Sequence, residues 1–394
     1  MRIAVIIAEY NPFHNGHAYH IAQTRQNGAT HIVSIMSGNF VQRGEPAFLE
    51  KRIRVRAALS GGADLVLELP LTFACAPAQR FASGAVYMAE QMGCVEMLSF
   101  GSESGDADRI SRAAAAMDTA QFEQILAEEL GAGTSYPLAL NRAMERFDSS
   151  LAKLTASPND TLGLEYCRAL RQLDSGIKPL AIRRAFVAHD AADVHEGFAS
   201  ASQLRALANP GAIAAYVPEK AAALYCKELE SGRTPDQRRL DAAIISVLRR
   251  MDREGFVQLP DCSEGIENRL WNAVRAGTSM EEILTLAKTK RYPHARLRRM
   301  MMHAFLGVTR EAAAQAPAYL RVLGANERGR EVLSVMSRTA SLPVSASLAE
   351  LEQFSPVAAR QARMEALSTD LYQGILRSPG PCTTDYTAPA VWNA

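Results

Sequence analysis

Long apolar runs are missing from this 394-residue chain. The stretch nearest the start, Ile3 to Ala8, is too short for a signal peptide or a membrane span, so a soluble cytoplasmic protein with no membrane partner is the expectation. Cysteine is sparse and scattered. Cys75, Cys94, Cys167, Cys226, Cys262 and Cys382 form no CxxC pair and no Cys/His cluster with zinc spacing. No protein-held metal site is expected, and isolated thiols fit a reducing compartment. Neither charge sign is in excess: 43 Lys and Arg against 42 Asp and Glu exclude a polycation. The two halves differ, however. Residues 1–200 carry 18 basic and 22 acidic side chains, and residues 201–394 carry 25 and 20. A polyanionic partner is therefore expected on the second half. An apolar content of 48% excludes a largely disordered chain, and the length predicts two or three domains.

Four short apolar runs punctuate the first hundred residues: Ile3–Ala8, His31–Met36, Asp64–Leu69 and Val95–Phe100. Each reads as a strand buried on both faces. Helix-like stretches separate them, at 15–27, 47–60 and 78–92. This alternation predicts βαβ units in an α/β fold with a doubly wound parallel sheet. In such sheets ligands sit beyond the carboxyl ends of the strands. Residues 105–175 read as mainly helical, and Leu180 to Val187 as a further strand. From about residue 203 strand-like alternation disappears, and 265–307 reads as a helical unit. Expected boundaries are 1–205 for the ligand-binding α/β domain, 206–378 for a mainly helical basic region, and 379–394 for a loose tail.

The segment Glu9-Tyr10-Asn11-Pro12-Phe13-His14-Asn15-Gly16-His17 carries the chemistry. It places His-x-Gly-His directly after the first strand and before a helix. Three residues apart at a helix start, His14 and His17 share a face. Gly16, without a Cβ, admits close approach of a ligand to the backbone. The helix N-terminus adds free N–H groups and a positive dipole end. Together these make an anion pocket suited to the phosphates of ATP. Donors fixed there stabilise the charge that grows on a departing pyrophosphate. An HxxH metal site is the competing reading, but it lacks a third ligand nearby.

The His-x-Gly-His tetrad resembles the signature of the HxGH nucleotidyltransferase superfamily, whose HUP-like domain is an α/β fold. Three further segments resemble one branch of it, the tRNA(Met) cytidine acetate ligase family: Met36 to Ala47 (MSGNFVQRGEPA), Asp64 to Pro70 (DLVLELP) and Phe100 to Glu103 (FGSE). The resemblance spans residues 1 to about 307. It implies a ligase that activates acetate with ATP, assisted by Mg²⁺, to acetyl-adenylate. The acetyl group would then pass to N4 of the wobble cytidine in the anticodon of elongator tRNA(Met). No protein partner is implied.

By the same resemblance the ATP loop comprises Ile7, Ala8, Glu9, Tyr10, Asn11, Pro12, Phe13, His14, Asn15, Gly16, His17, Ala18, Tyr19 and His20. Gly101, Asn159, Arg183 and Arg184 match further nucleotide contacts. Ser202 and Arg205 match a second phosphate clamp, although Gln203-Leu204 departs from the usual residues between them. Arg183 and Arg184 point to opposite faces if extended, so only one is expected to meet ATP. Lys51 is expected on a solvated helix face. Glu68, a carboxylate in an apolar strand, either orients a basic group or Mg²⁺ or is paired structurally.

In the second half, Lys288 to Arg299 (KTKRYPHARLRR) holds six basic residues and no acid. Lys288, Lys290, Arg291, Arg296, Arg298 and Arg299 are candidate phosphate contacts on tRNA, and Tyr292 a ring for an unpaired base. Met300-Met301-Met302 reads as core packing. Two other classes stay open at this stage: a small-molecule adenylyltransferase, which needs only the first domain, and an RNA-binding assembly protein that keeps ATP as a structural ligand.

Overall fold

The computed structural model describes residues 1–184, 198–207, 209–263, 265–289 and 292–392. Its strands are β1 (Ile3–Ala8), β2 (His31–Ser37), β3 (Phe40–Val41), β4 (Glu45–Pro46), β5 (Leu65–Leu69), β6 (Met97–Ser102), β7 (Lys178–Arg183), β8 (Leu320–Ala325), β9 (Val344–Ser345) and β10 (Val391–Trp392). Alternate side chains of β1 explain why its sequence is apolar throughout. Ile3 and Val5 enter the core on one face of the sheet, Ala4 and Ile6 the core on the other. β2 and β5 divide their residues in the same way. Helices Ala78–Gln91, Ala107–Met117 and Pro158–Gln172 cover the first face. Asn15–Gln26, Lys51–Ser60 and Glu219–Glu230 cover the second.

The sheet order is β10-β8-β5-β2-β1-β6-β7, with β9 also on β8. The α/β prediction holds, and β5, β2, β1, β6 and β7 are mutually parallel. Because β1 lies between β2 and β6, the loop that follows it opens at the middle of the rim. The last predicted strand ends at Arg183, and residues 185–187 lie outside those described.

Two expectations are corrected. Strands do recur after residue 203: β8 adds antiparallel to β5, and its residues are buried throughout. The stretch after 378 is not a loose tail, since β10 pairs with β8 and Asp385 is buried. The physical reason is a charge cluster inside the protein. Lys51 Nζ donates to Glu68 Oε1 at 2.7 Å and to Asp385 Oδ2 at 2.8 Å. Arg321 Nη1 donates to Glu68 Oε2 at 2.7 Å and to Asp385 Oδ2 at 2.8 Å. Lys51 is therefore fully buried rather than on a solvated face, and the pairing of Glu68 is structural. At the buried centre Lys51 and Arg321 balance Glu68 and Asp385, while Arg52, at the edge, pairs with Asp385 at 3.1 Å and with Glu50 at 3.3 Å, so the charges match and burial is tolerable. Glu365 lies beside it. Burial, then the charge of Glu68, push its carboxyl up to about 8.

A separate helical core is built by Gln237–Arg250, Ile266–Ala276, Met280–Ala287 and His294–Leu306. Met300, Met301 and Met302 are wholly buried in it. The β3–β4 hairpin plugs the sheet domain onto this core. Phe40 meets Phe305 and Tyr372 edge-on. Gly44, at φ 72°, lies so close to the helix that a Cβ would stand 2.8 Å from the Arg299 nitrogen. No helix among the described residues is long and apolar enough to cross a membrane.

Burial alone would raise the Asp385 carboxyl, but Lys51 and Arg321 outweigh it and hold it well below its ordinary range. Its stabilising contribution is thus present above about pH 4 and lost as pH falls. Asp385→Asn leaves two cations facing one carboxylate and is expected to cost about 3–5 kcal/mol at neutral pH. Urea unfolding should show that difference shrinking below about pH 4.

Candidate active site

Past Ala8 the chain leaves the sheet through Tyr10, at φ 48°, and a cis Asn11–Pro12 bond. Three contacts fix this path. Tyr10 Oη and Ser34 Oγ share a hydrogen bond of 2.9 Å. Asn11 Oδ1 accepts from the Phe48 N–H at 2.7 Å. The fully buried Arg54 donates to the carbonyls of Glu9, at 2.6 Å, of Leu49, Ser37 and Gly38. The sequence pattern did not reveal Arg54, because it sits in the run KRIRVR, which looks like a charged surface helix.

The helix Asn15–Gln26 then begins with a capping box made of two histidines. His14 Nδ1 accepts from the Gly16 N–H at 3.0 Å, and His17 Nδ1 accepts from the His14 N–H at 3.2 Å. The rings stack with centroids 3.8 Å apart. Gly16 serves first to admit this cap, because a Cβ there would lie 2.8 Å from His14 Cε1. Burial, then Arg184, lower His14 to about 3. Burial, then the charges of His14, Arg184 and His20, take His17 well below its usual value. Both rings are therefore neutral near pH 7. With Nδ1 accepting, the remaining proton is on Nε2, so each ring offers one N–H donor. His20 shares a hydrogen bond of 2.9 Å with Ser99 and is lowered to about 4, by burial and then Arg184.

These rings open onto a cleft of about 310 Å³. Ile7, Ala8, Glu9, Tyr10, Asn11, His14, Gly16, His17, Tyr19 and His20 line it, whereas Pro12, Phe13, Asn15 and Ala18 do not. Phe13 instead fills the core, and its carbonyl accepts from Tyr225. Gly101, Asn159, Arg183 and Arg184 line the same cleft. Asn159 bridges there, donating to Glu103 Oε1 at 2.6 Å and accepting from Arg184 Nη1 at 3.2 Å. Arg184 is the arginine beside the imidazoles, while the Arg183 side chain packs toward Gly105. Of the second clamp, Arg205 Nη1 donates to the Asn11 carbonyl at 2.8 Å and Nη2 reaches Ser202 Oγ at 3.5 Å. Neither Ser202 nor Arg205 is among the residues lining the cleft.

The basic segment is more occupied than its composition implies. Tyr292 is buried, its hydroxyl donates to the Ser263 carbonyl at 2.8 Å, and Arg296 covers its ring. That ring is thus packed in the helical core rather than presented to a base. Arg296 donates to the Asp261 carbonyl at 2.7 Å, Arg298 pairs with Glu45, and Arg299 stands 3.8 Å from Asp261. Lys288 is exposed, and Lys290 and Arg291 lie outside the described residues. Among the described residues no group of three or more His, Cys, Asp and Glu side chains is placed to hold a metal ion.

Residues 1–384 match the family model for HIGH Nucleotidyl Transferase. The chain is 35% identical to a tRNA(Met) cytidine acetate ligase of Acetivibrio thermocellus, with 96% of each sequence covered. It is 32% identical to one from Caldanaerobacter subterraneus subsp. tengcongensis, over 93% of this chain and 94% of that one. Among solved structures it is similar to apo Thermotoga maritima TmcAL, with TM-score 0.92 and 30% identity, covering 100% of this chain and 99% of the other. The same protein bound with alpha-thio ATP gives a TM-score of 0.91.

In the ligand-free protein, imidazole nitrogen shifts of His14 and His17 should report neutral rings with protonated Nε2 down to about pH 5. Since folding lowers both values, the fold loses stability as pH falls through the ordinary histidine range. An imidazolium signal from either ring at about pH 6 would contradict the double cap.

Proposed function

Because the chain belongs to the tRNA(Met) cytidine acetate ligase family of HIGH nucleotidyl transferases, we propose that it activates acetate with ATP to acetyl-adenylate and acetylates N4 of the wobble cytidine of elongator tRNA(Met). The observation that carries this reading is the stacked, reciprocally capped pair His14–His17 on the cleft beyond β1. Acetate is already ionised near pH 7 and needs no general base. One of its oxygens attacks the α-phosphorus, and the bond to the β-phosphate oxygen breaks. The two Nε2–H donors and Arg184 meet the charge that collects on pyrophosphate. Because the capping box holds these donors in place before the nucleotide arrives, little reorganisation is needed during the step.

Gly101 and Asn159 complete the nucleotide side in this reading, and Arg183, its side chain against Gly105, borders it. Arg205 acts from behind, holding the Asn11 carbonyl and thereby the loop. Among the described residues no group of three or more side-chain ligands stands ready for a divalent ion, and in this reading Mg²⁺ arrives on the triphosphate. The tRNA lies across the helical region, with Lys288, Lys290 and Arg291 on its phosphates. Arg296, Arg298 and Arg299 chiefly hold the Asp261–Ser263 turn and the β3–β4 hairpin. The reaction belongs in the cytoplasm, where ATP and tRNA are found.

Mass spectrometry of tRNA incubated with protein, ATP, Mg²⁺ and labelled acetate should show one added acetyl group on the anticodon cytidine. A small-molecule adenylyltransferase would instead release pyrophosphate only with a phosphorylated cosubstrate. His17→Ala should lower acetate-dependent adenylate formation at least about a hundredfold, with tRNA affinity kept within about threefold. Loss of tRNA binding with intact adenylation would refute that division of labour. Replacing Lys288, Lys290 and Arg291 by Ala should weaken tRNA binding and flatten its salt dependence, read as the slope of affinity against salt.

A further inference from the structure

The histidines are only part of the cleft. Glu9, Gln42, Arg43, Phe81, Phe100 and Tyr166 also line it, and the adenylation step described above gives them no role. Among them is a carboxylate on the loop that leaves β1. Glu9 Oε1 accepts from the Gln42 N–H at 2.9 Å, which fixes the group in direction. Phe100 and Tyr166 pack with ring centroids 5.8 Å apart, tilted by 52°, and Tyr166 stands near enough to Glu9 to feel its charge, so the cleft offers aromatic surface beside the carboxylate. A planar base with an amino edge fits such a place: rings take its faces, and a carboxylate takes the N4–H of cytosine.

We infer that this part of the cleft is the cytosine subsite and that Glu9 accepts the proton from N4 as the acetyl group is transferred. The inference rests on the ligase reading and deepens it. In the step, the N4 lone pair attacks the acetyl carbonyl carbon. The N4–C bond forms, and the bond from that carbon to the phosphate oxygen breaks. AMP leaves with the electron pair, and the N4 proton passes to Glu9.

The surroundings suit a base that must be ionised yet basic. Burial raises the Glu9 carboxyl, while the Gln42 N–H, Arg205, Arg43 and Arg54 pull it back. Tyr166 and Cys75 face it from the other packed elements, and both remain neutral because burial raises them further. The same carboxylate disfavours a phosphorylated nucleophile at this position, by like-charge repulsion in a buried site.

The test separates the two half-reactions. Adenylation is read as acetate-dependent exchange of pyrophosphate into ATP. Transfer is read in a single turnover from preformed acetyl-adenylate to tRNA. Glu9→Gln should slow transfer at least about a hundredfold more than it slows adenylation, and Glu9→Asp should recover part of the loss. Because burial raises the Glu9 carboxyl, wild-type transfer should fall as pH is lowered and the carboxylate gains a proton, a dependence that Glu9→Gln abolishes. Equal slowing of both half-reactions, or transfer kept in Glu9→Gln, overturns the inference. A flat wild-type profile overturns it as well, whatever the variants do on folding. If wild-type protein makes no N4-acetylcytidine, the ligase reading itself fails. If it acetylates tRNA but the Glu9 results fail, only the role of Glu9 is lost.

Discussion

One buried guanidinium holds the architecture of the cleft. Arg54 gathers the carbonyls of Glu9, Ser37, Gly38 and Leu49, and so joins the loop after β1, the loop after β2 and the approach to its own helix. Burial lowers its affinity for a proton, while Tyr372, Glu50 and Glu9 raise it. A planar fork with several fixed donors is needed to reach acceptors on different segments, and a lysine would supply only a point charge. The placement of Glu9 on one side and of the His14–His17 cap on the other follows from this junction.

The two histidines use one nitrogen each for structure: Nδ1 closes the helix start, and in the proposed reaction Nε2 is the donor offered to the nucleotide. Because the cap fixes the tautomer, the orientation of both rings and the stability of the helix start cannot be tuned independently. That coupling accounts for the short spacing His-x-Gly-His: three residues bring N-cap and N3 together, and only glycine between them leaves room for the ring.

Much of this could be read from residue order. The β-branched runs gave the parallel strands, because strands buried on both faces are apolar at every position. The His-x-Gly-His tetrad gave the cleft, because its place after β1 sets it on the rim. Other features resisted reading for identifiable reasons. Lys51 and Arg54 belong to a basic run interleaved with apolar residues, and partners the run does not show (Glu68, Asp385 and four carbonyls) take them inside. β8 carries Arg321 in mid-strand, which hides its apolar pattern until the neutralising carboxylates are known. Tyr292 resembled a stacking ring because it lies among cations, yet its hydroxyl has a carbonyl to bond inside the helical core.

Asp385 stands nine residues before the end of the sequence, yet it completes a cluster whose other members begin at Lys51. A polypeptide terminated early, just short of it, would hold every group that lines the cleft and still be faulty at its centre, with Lys51 and Arg321 sharing Glu68 alone. A change near residue 385 is thereby felt at Lys51, 334 positions away in the middle of the fold.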